Sequence, residues 1–248
     1  MVSKTDIILL GKRVTRRLGW EVHRYRPRSS EGTRLHALLS RNAVDLVVDV
    51  GANTGQYGQS LRDLGHRGAI VSFEPLPDAY QSLSRRAARD GNWQVAPCAA
   101  VGDTEGEVEI NVAANSASSS ILPMHDTHLQ AAPESAYTGV RKVRLATLDT
   151  LAAPYLDRFR APFLKVDTQG YEAAVLRGAD SVLRRVVGVQ IEASLVELYE
   201  GQILYRDLIA RLENYGFELF DLLPGFSDPV TGRLLQMDCV FQRQASRA

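Results

Sequence analysis

The chain has 248 residues, 45% hydrophobic and 23% charged, a composition typical of a soluble globular protein. This length accommodates one substantial α/β domain or at most two small ones. Cys98 and Cys239 lie far apart without a Cys-x-x-Cys pair, so neither a disulfide framework nor a zinc site is predicted. Because there is no signal peptide and no apolar run long enough to span a bilayer, the sequence predicts a cytoplasmic protein.

The net charge is zero overall but unevenly distributed. Residues 1–43 carry ten Lys and Arg against three acids, so this basic arm has a charge of +7 and residues 44–248 have −7. The pattern predicts an amphipathic helix over 3–19 and a short helix over 31–41. The arm is interpreted either as a solvated helical face or as a contact with an anionic partner such as a membrane. One hypothesis is therefore a non-catalytic module that docks through this arm.

The most informative stretch is an apolar strand, 45–50, that runs into the turn 51–55, Gly-Ala-Asn-Thr-Gly. A helix is predicted over 54–64. A second apolar strand, 69–74, ends in Glu74, nineteen positions after the last glycine of the turn. Strand, turn, helix and distal acid in this order indicate a nucleotide-cofactor half-site, in which ligands bind at the carboxyl ends of parallel strands. The structural alternative is an ordinary buried strand followed by a glycine turn.

The turn matches a dinucleotide fingerprint poorly. The second glycine of Gly-x-Gly-x-x-Gly lets the backbone approach a pyrophosphate, but Asn53 replaces a glycine in either alignment. Asp49 adds a carboxylate at the strand end, where it repels phosphate and attracts a cation. S-adenosylmethionine fits better, because it carries a sulfonium and an amino group and no phosphate. Glu74 then accepts hydrogen bonds from both ribose hydroxyls. An NAD(P)-binding oxidoreductase is the alternative.

Beyond this half-site, a strand predicted over 93–98 has an exit loop on the cofactor side. Ala100 in that loop is predicted either to lie against adenine or to pack as an ordinary loop residue. Residues 104–147 then break the alternation of strands and helices, and 106–112 and 142–146 alternate like antiparallel strands. A segment this long is usually functional or disordered, and we interpret it as a β-rich insertion that walls or covers the substrate.

A second signal lies at 163–172, where an apolar strand delivers Asp167 to its carboxyl end and Gly170 turns the chain into a helix. The next strand, 187–191, delivers Glu192 to the same edge of the sheet. Two carboxylates from adjacent strand ends are able to share Mg²⁺, or one of them serves as a general base. The structural alternative is that Asp167 only caps the helix.

Methyl transfer to a hydroxyl requires removal of the hydroxyl proton. Besides Asp167 and Glu192, two histidines in the insertion, His125 and His128, are candidate bases. They are three residues apart, a spacing that places both on one face of a helix. They also lie in the insertion, where a residue of a mobile lid is able to close over the substrate. A solvated histidine without a direct role is the alternative.

Three segments in order resemble the FkbM family of S-adenosylmethionine-dependent O-methyltransferases: Val48–Gly55, Phe73–Pro75 and Lys165–Glu172. The resemblance spans roughly residues 44–242 and implies a Rossmann-like class I methyltransferase fold, with a seven-stranded, mostly parallel sheet and flanking helices. It makes 44–248 the methyltransferase domain. It also implies methylation of hydroxyls on sugars, polyketides or glycolipids. By resemblance, the residues on the cofactor are Asp49, Gly51, Asn53, Gly55 and Glu74.

Many family members carry Glu where this chain has Gln169, which argues against a base or metal ligand at that position. The predicted acceptor is a saccharide, a glycosylated metabolite or a glycolipid. Nucleic acid is not an expected partner, because the sequence shows neither a basic stripe outside the arm nor an aromatic stacking platform. Peripheral membrane contact through the arm is predicted, and the extra strands and the arm favour a homodimer.

Overall fold

The computed structural model describes residues 4–20, 22 and 30–244 of the chain. In chain order, the strands are β1 (Leu46–Val50), β2 (Ala69–Phe73), β3 (Trp93–Val95), β4 (Ala100–Gly102), β5 (Gly106–Ala113), β6 (Tyr137–Thr147), β7 (Pro162–Val166), β8 (Gly188–Ser194), β9 (Phe217–Pro224) and β10 (Gln236–Arg243). The helices are α1 (Lys4–Arg17), α2 (Glu31–Arg41), α3 (Gln56–Asp63), α4 (Pro77–Ala87), α5 (Asp126–Ala131), α6 (Leu148–Leu156), α7 (Glu172–Arg177), α8 (Asp180–Arg185) and α9 (Tyr205–Asn214).

Seven of these strands form the central sheet, in the order β3-β2-β1-β7-β8-β10-β9. The first five are parallel, and β10 and β9 add an antiparallel edge. This arrangement confirms the predicted Rossmann-like fold. The chain leaves β1 on one side for β2 and β3, and later returns to its other side for β7 and β8. A topological switch point therefore lies between β1 and β7, where such sheets bind ligands.

The register of the sheet brings the predicted acids to one level. Val50 pairs with Phe73 on one side and with Val166 on the other, and Val166 pairs with Ile191. The residue that follows each of these positions therefore lies at the same carboxyl edge. Those residues are Gly51, Glu74, Asp167 and Glu192.

Strand β1 is buried on both faces, as its continuous apolar run predicts. Successive side chains alternate between the faces of a strand. Val48 and Val50 pack in one core cluster with α6, α7 and α8. Val47 packs in the opposite cluster, with apolar residues of α2, α3 and α4. Asp49 shares the face of Val47 and so points toward that second helix layer.

Helix α2 belongs to the body of the fold. Its residues Leu35, Leu38 and Leu39 are buried against the sheet, in the cluster that contains Val47. Helix α2, which the predicted arm of residues 1–43 includes, therefore packs with the predicted domain 44–248. Helix α1, by contrast, exposes its apolar side chains from residue 8 onward.

A second sheet, in the order β4-β6-β5, carries the insertion. The antiparallel pairing of β5 with β6 confirms the alternation seen in the sequence. The sequence predicts a loop over residues 99–103, but β4 is a strand that pairs in parallel with β6 through Ala100, Val101 and Gly102. Three residues are too few to show a strand period, so this pairing depends on the distant β6.

Both cysteines are free thiols. Burial raises the pKa of Cys98, and it raises the pKa of Cys239 to about 12. The thiolate is the reactive form of cysteine, so neither side chain is activated as a nucleophile.

Candidate active site

A cavity of about 400 Å³ opens at the carboxyl edge of the central sheet, at the switch point. This volume is within the usual range for small-molecule sites. One half is lined by the turn after β1 and by mainly apolar residues around β2 and β4. The other half is lined by polar side chains of, or next to, β7, β8 and β10, namely Lys165, Asp167, Thr168, Gln169, Gln190, Glu192 and Asp238.

The glycine turn lies directly against the strand that carries Asp167. Gly51 has a φ of +78°, and a Cβ built on it would lie 1.7 Å from the backbone oxygen of Asp167. No other residue fits at this position without moving the backbone. Asn53 is also left-handed, with a φ of +46°, in a region that asparagine tolerates better than most residues.

Glu74 fastens the turn to β2. Its Oε2 accepts a hydrogen bond from the backbone N–H of Asn53 at 2.8 Å, and its Oε1 accepts one from Leu76 at 2.9 Å. Burial raises the pKa of this carboxyl to about 7, despite these two donors. Glu74 lines the cavity, so its remaining lone pairs can accept hydrogen bonds from a ligand.

Asp49 lies behind the cavity and does not line it. Its side chain is fully buried, accepts a hydrogen bond from Ser72 Oγ at 3.0 Å, and lies 3.5 Å from the ammonium of Lys165. The predicted direct contact with a cofactor is therefore not supported. Gly55 also lies outside the lining, because a Cβ built on it would face Leu83, Arg86 and Trp93.

Lys165 lines the cavity, although the sequence does not predict it as a site residue. Its ammonium lies 3.3 Å from Asp167 Oδ2 and 3.5 Å from Asp49 Oδ1, and it lines the cavity. Burial lowers its pKa, but the carboxylates of Asp167 and Asp49 more than offset this and raise it above the ordinary value. The ammonium is therefore held as a cation. A lone charge inside an apolar strand was the available signal.

Gln169 bridges the two predicted carboxylates. Its Nε2 donates to Asp167 Oδ1 at 2.8 Å and to Glu192 Oε2 at 2.7 Å. Its Oε1 accepts from the hydroxyl of Tyr199 at 2.6 Å, which fixes the orientation of the amide. A second amide, that of Gln236, donates to the same Oε2 of Glu192 at 2.9 Å.

These hydrogen bonds do not support the predicted metal site. The amide NH₂ group of Gln169 lies between the carboxylates of Asp167 and Glu192 and donates to both. It therefore occupies the space that a cation shared by these carboxylates requires. Within the described residues, no group of three or more His, Cys, Asp or Glu side chains is arranged to hold a metal ion. Burial raises the pKa of Glu192 well above its ordinary value, and Asp167 adds to this shift.

The turn that carries Gln169 is braced from two sides. Gln169 and Gly170 have positive φ angles of 53° and 95°. The carboxylate of Glu172 accepts hydrogen bonds from the backbone N–H groups of Thr168 at 2.8 Å and Gly170 at 3.1 Å. From the insertion, Ser120 Oγ donates to the backbone oxygen of Gln169 at 2.6 Å. Glu172 therefore holds the turn in place. The sequence alone indicates only a favourable interaction of this carboxylate with the dipole at the start of α7.

The two candidate histidines lie away from the cavity. His125 precedes α5 as its N-cap, and its Nδ1 accepts a hydrogen bond from the backbone of Thr127. His128 is 3% exposed and packs against the rings of Tyr199 and Phe226, at centroid distances of 5.2 and 5.3 Å. Burial lowers the pKa of His128, which favours the neutral ring. Neither histidine lines the cavity, so their predicted role as bases is not supported.

The protein-family model for the FkbM methyltransferase domain matches residues 49–219, more than half of the chain. The chain belongs to the FkbM methyltransferase family. This membership assigns it to the S-adenosylmethionine-dependent methyltransferases, as the sequence predicts, and counts against the NAD(P)-binding alternative. A search of curated proteins found no significant match.

Solved structures similar to this FkbM methyltransferase are distant from it. An rRNA methylase from Streptococcus thermophilus is 13% identical, with a TM-score of 0.46 over 90% of this chain and 100% of the other. The 1,6-didemethyltoxoflavin-N1-methyltransferase of Burkholderia thailandensis, solved with S-adenosylhomocysteine, is 15% identical, with a TM-score of 0.45 over 86% of this chain and 76% of the other. Neither similarity identifies the acceptor of this enzyme.

The lining of one half of the cavity fits S-adenosylmethionine. Gly51 and Asn53 present backbone without bulky side chains, and Glu74 offers a carboxylate for the ribose hydroxyls. Phe73 and Ala100 add an apolar surface suited to adenine. Four of the six predicted cofactor residues, Gly51, Asn53, Glu74 and Ala100, thus line the cavity, whereas Asp49 and Gly55 support it from behind.

We expect the affinity of this FkbM methyltransferase for S-adenosylhomocysteine to depend on the ionisation of Glu74. The pKa of Glu74 is raised to about 7, so the hydrogen-bonding carboxylate is lost as the pH falls through 7. Titration calorimetry at pH 8 and pH 6 should show about tenfold weaker binding at pH 6. Glu74→Gln should flatten this dependence. Burial also raises the pKa of Glu172 to about 7, so a dependence that persists in Glu74→Gln and disappears in Glu172→Gln would contradict the assignment.

The structure has a basic surface outside the arm that the sequence does not predict, and the absence of a nucleic-acid partner stays a prediction. Outside the arm, five arginines line an open groove between α3 and α4: Arg62, Arg67, Arg85, Arg86 and Arg89. Arg62 is neutralised by Asp90 at 2.7 Å. This basic surface is not apparent in the sequence because its residues come from two helices, α3 and α4, and from the loops that follow each of them.

Proposed function

We propose that this enzyme transfers the methyl group of S-adenosylmethionine to a hydroxyl of a saccharide, or of a glycosylated metabolite or glycolipid. One observation carries the proposal: the side of the cavity formed by residues of, or next to, β7, β8 and β10 is lined mainly by hydrogen-bonding side chains. A polyhydroxylated acceptor satisfies such groups, whereas a flat apolar acceptor leaves them without partners.

The polar half offers both acceptors and donors. Gln190 accepts a hydrogen bond from the hydroxyl of Tyr57 at 2.9 Å, and both residues line the cavity. Burial raises the pKa of Asp238 to about 6, with the charge of Asp167 adding to the shift. A carboxyl group with this pKa accepts hydrogen bonds when ionised and donates one when protonated, which suits sugar hydroxyls.

Asp167 is the candidate base in this arrangement. When bound, S-adenosylmethionine supplies an electrophilic methyl group on its sulfonium. The carboxylate of Asp167 lines the cavity and keeps 33% of its side chain exposed. Lys165 and Gln169 hold it in place from two sides, at 3.3 and 2.8 Å. A carboxylate so positioned accepts the proton that the acceptor hydroxyl loses.

The acceptor is tested with isotopically labelled S-adenosylmethionine and a panel of saccharides, glycosylated metabolites, glycolipids and RNA. We expect label in an O-methyl group of a glycan-containing acceptor, located by mass spectrometry of the isolated product. Binding of S-adenosylhomocysteine, with NAD as the negative control, is measured on the same preparation. Tight binding of S-adenosylhomocysteine together with methylation of RNA, and of no glycan-containing acceptor, would overturn the proposed acceptor. The methyltransferase assignment would remain in place.

The hydrogen bonds that Gln169 and Gln236 donate to the carboxylates predict that two variants lower kcat to different extents. Gln169→Leu removes donors from both Asp167 and Glu192, and we expect kcat to fall by about 10- to 100-fold, since a hydrogen bond to a charged group such as Asp167 contributes roughly 1.5–3 kcal/mol. Gln236→Leu removes one donor from Glu192 and should cost less. Both variants should bind S-adenosylhomocysteine within about twofold of the wild type. Equal kcat in Gln169→Leu and the wild type would contradict this role for the bridge.

A further inference from the structure

Helix α1 exposes a row of large apolar side chains. Leu10 and Val14 are 62% and 52% exposed, and their four-residue spacing places them on one side of the helix. Leu18, directly after the end of α1 at Arg17, is 71% exposed. Trp20, two residues further on, is 72% exposed. Soluble proteins seldom leave contiguous apolar surface uncovered without a partner for it.

The remaining sides of α1 carry basic residues together with Ile8 and Leu9, which are each 51% exposed. Residues 4–20 contain five Lys and Arg residues and one acid, Asp6. At 100° per residue, Lys12 and Arg13 fall away from the apolar row, and Arg17 lies at its border. Long basic side chains at such a border place their methylenes on an apolar surface and their charges in the polar layer above it.

We propose that α1 is a peripheral anchor that binds the surface of an anionic lipid bilayer. The apolar row would enter the boundary between headgroups and acyl chains, the basic residues would contact anionic headgroups, and Trp20 would lie at the interface. Within the described residues, no helix is long and apolar enough to cross a membrane, so α1 lies on the bilayer without spanning it. A second copy of the chain is a poorer partner for this face, because two helices with a strong positive charge repel each other.

This inference does not depend on the identity of the methyl acceptor. The apolar row of α1 lies outside the lining of the active-site cavity, so lipid binding and cofactor binding can be measured separately. A bilayer-bound enzyme and a free enzyme should have the same affinity for S-adenosylhomocysteine.

The test is co-sedimentation of the full-length protein with vesicles of phosphatidylcholine alone or of an equal mixture with phosphatidylglycerol. We expect at least about tenfold tighter binding to the mixed vesicles, reduced by high salt. Val14→Glu places a carboxylate in the apolar row, Arg17→Glu reverses a charge at its border, and each should weaken binding by at least about tenfold.

Two matched variants control for hydrophobicity and charge elsewhere on the surface. Val230 is 91% exposed, and Arg233 lies in the same turn, so Val230→Glu and Arg233→Glu repeat the two changes away from α1. Both should bind vesicles as the wild type does, and all four variants should keep the wild-type affinity for S-adenosylhomocysteine. Equal binding to both kinds of vesicle, or equal losses in the control variants, would overturn the proposal. The proposal would also be overturned if the protein did not bind vesicles and formed a dimer that Val14→Glu dissociates. The apolar face of α1 would then be a contact with a second copy of the chain.

Discussion

Asp167→Asn is expected to lower kcat for methyl transfer by about 100- to 10,000-fold, the usual range for loss of a general base. The amide keeps the shape of the side chain and the acceptor for Gln169, which Asp167 now binds at 2.8 Å. It cannot take up the hydroxyl proton. Because Asp167 lies in the polar half of the cavity, the Kd of S-adenosylhomocysteine should stay within about threefold of the wild type.

Single-turnover kinetics with labelled S-adenosylmethionine would measure the chemical step directly, and calorimetry would measure binding. The matched control is Asp103→Asn, which makes the same chemical change at a surface carboxylate that pairs with Arg177 at 2.7 Å. This control should retain full activity. Full activity in Asp167→Asn would show that another group takes the proton.

Gly51→Ala is expected to abolish cofactor binding and to destabilise the fold. The new Cβ would lie 1.7 Å from the backbone oxygen of Asp167, and the φ of +78° adds strain for any residue other than glycine. To relieve this clash, the backbone at the end of β1 or at the end of β7 must move. A cost of at least about 3 kcal/mol corresponds to a melting temperature lower by roughly 6–12 °C in a chain of this size.

Thermal unfolding and titration with S-adenosylhomocysteine would measure both effects. Gly91→Ala is the control, because it adds the same methyl group where no atom lies within 4 Å and the backbone is not left-handed. Its stability and cofactor affinity should match those of the wild type. An unchanged melting temperature in Gly51→Ala would mean that the turn and the Asp167 strand are not packed as described.

The sequence predicts the frame of the site because that frame depends on local patterns. Apolar runs that end in glycine or an acid define β1, β2 and β7, and parallel pairing then brings Glu74 and Asp167 to one edge. The same local pattern contained the direction of Asp49, which alternates with Val48 and Val50 and so points away from their face. That alternation was the unused signal for its indirect role.

The remaining features depend on contacts between distant segments. The sequence argues against a base or metal ligand at Gln169, because an amide is neither a base nor a strong metal ligand. In the structure its NH₂ group joins the carboxylates of Asp167 and Glu192, which come from different strands. His128 is buried by Tyr199 and Phe226, both more than sixty residues away along the chain. No local periodicity in the sequence predicts contacts between residues so far apart.

The separate sheet that carries the insertion makes the enzyme modular. The hydrogen bond from Ser116 Oγ to Asn53 Oδ1 links it to the cofactor turn at 3.3 Å, and that from Ser120 Oγ to the backbone oxygen of Gln169 links it to the acid-bearing turn at 2.6 Å. Segments between β5 and β6 can diverge, or be grafted from one relative to another, as long as these two serine contacts persist. Because Ser116, Ser119 and Ile121 of this segment also line the cavity, changes between β5 and β6 would alter one wall of the proposed acceptor site while the central sheet stays the same. Chimaeras that keep both serines are the natural starting points for redesign.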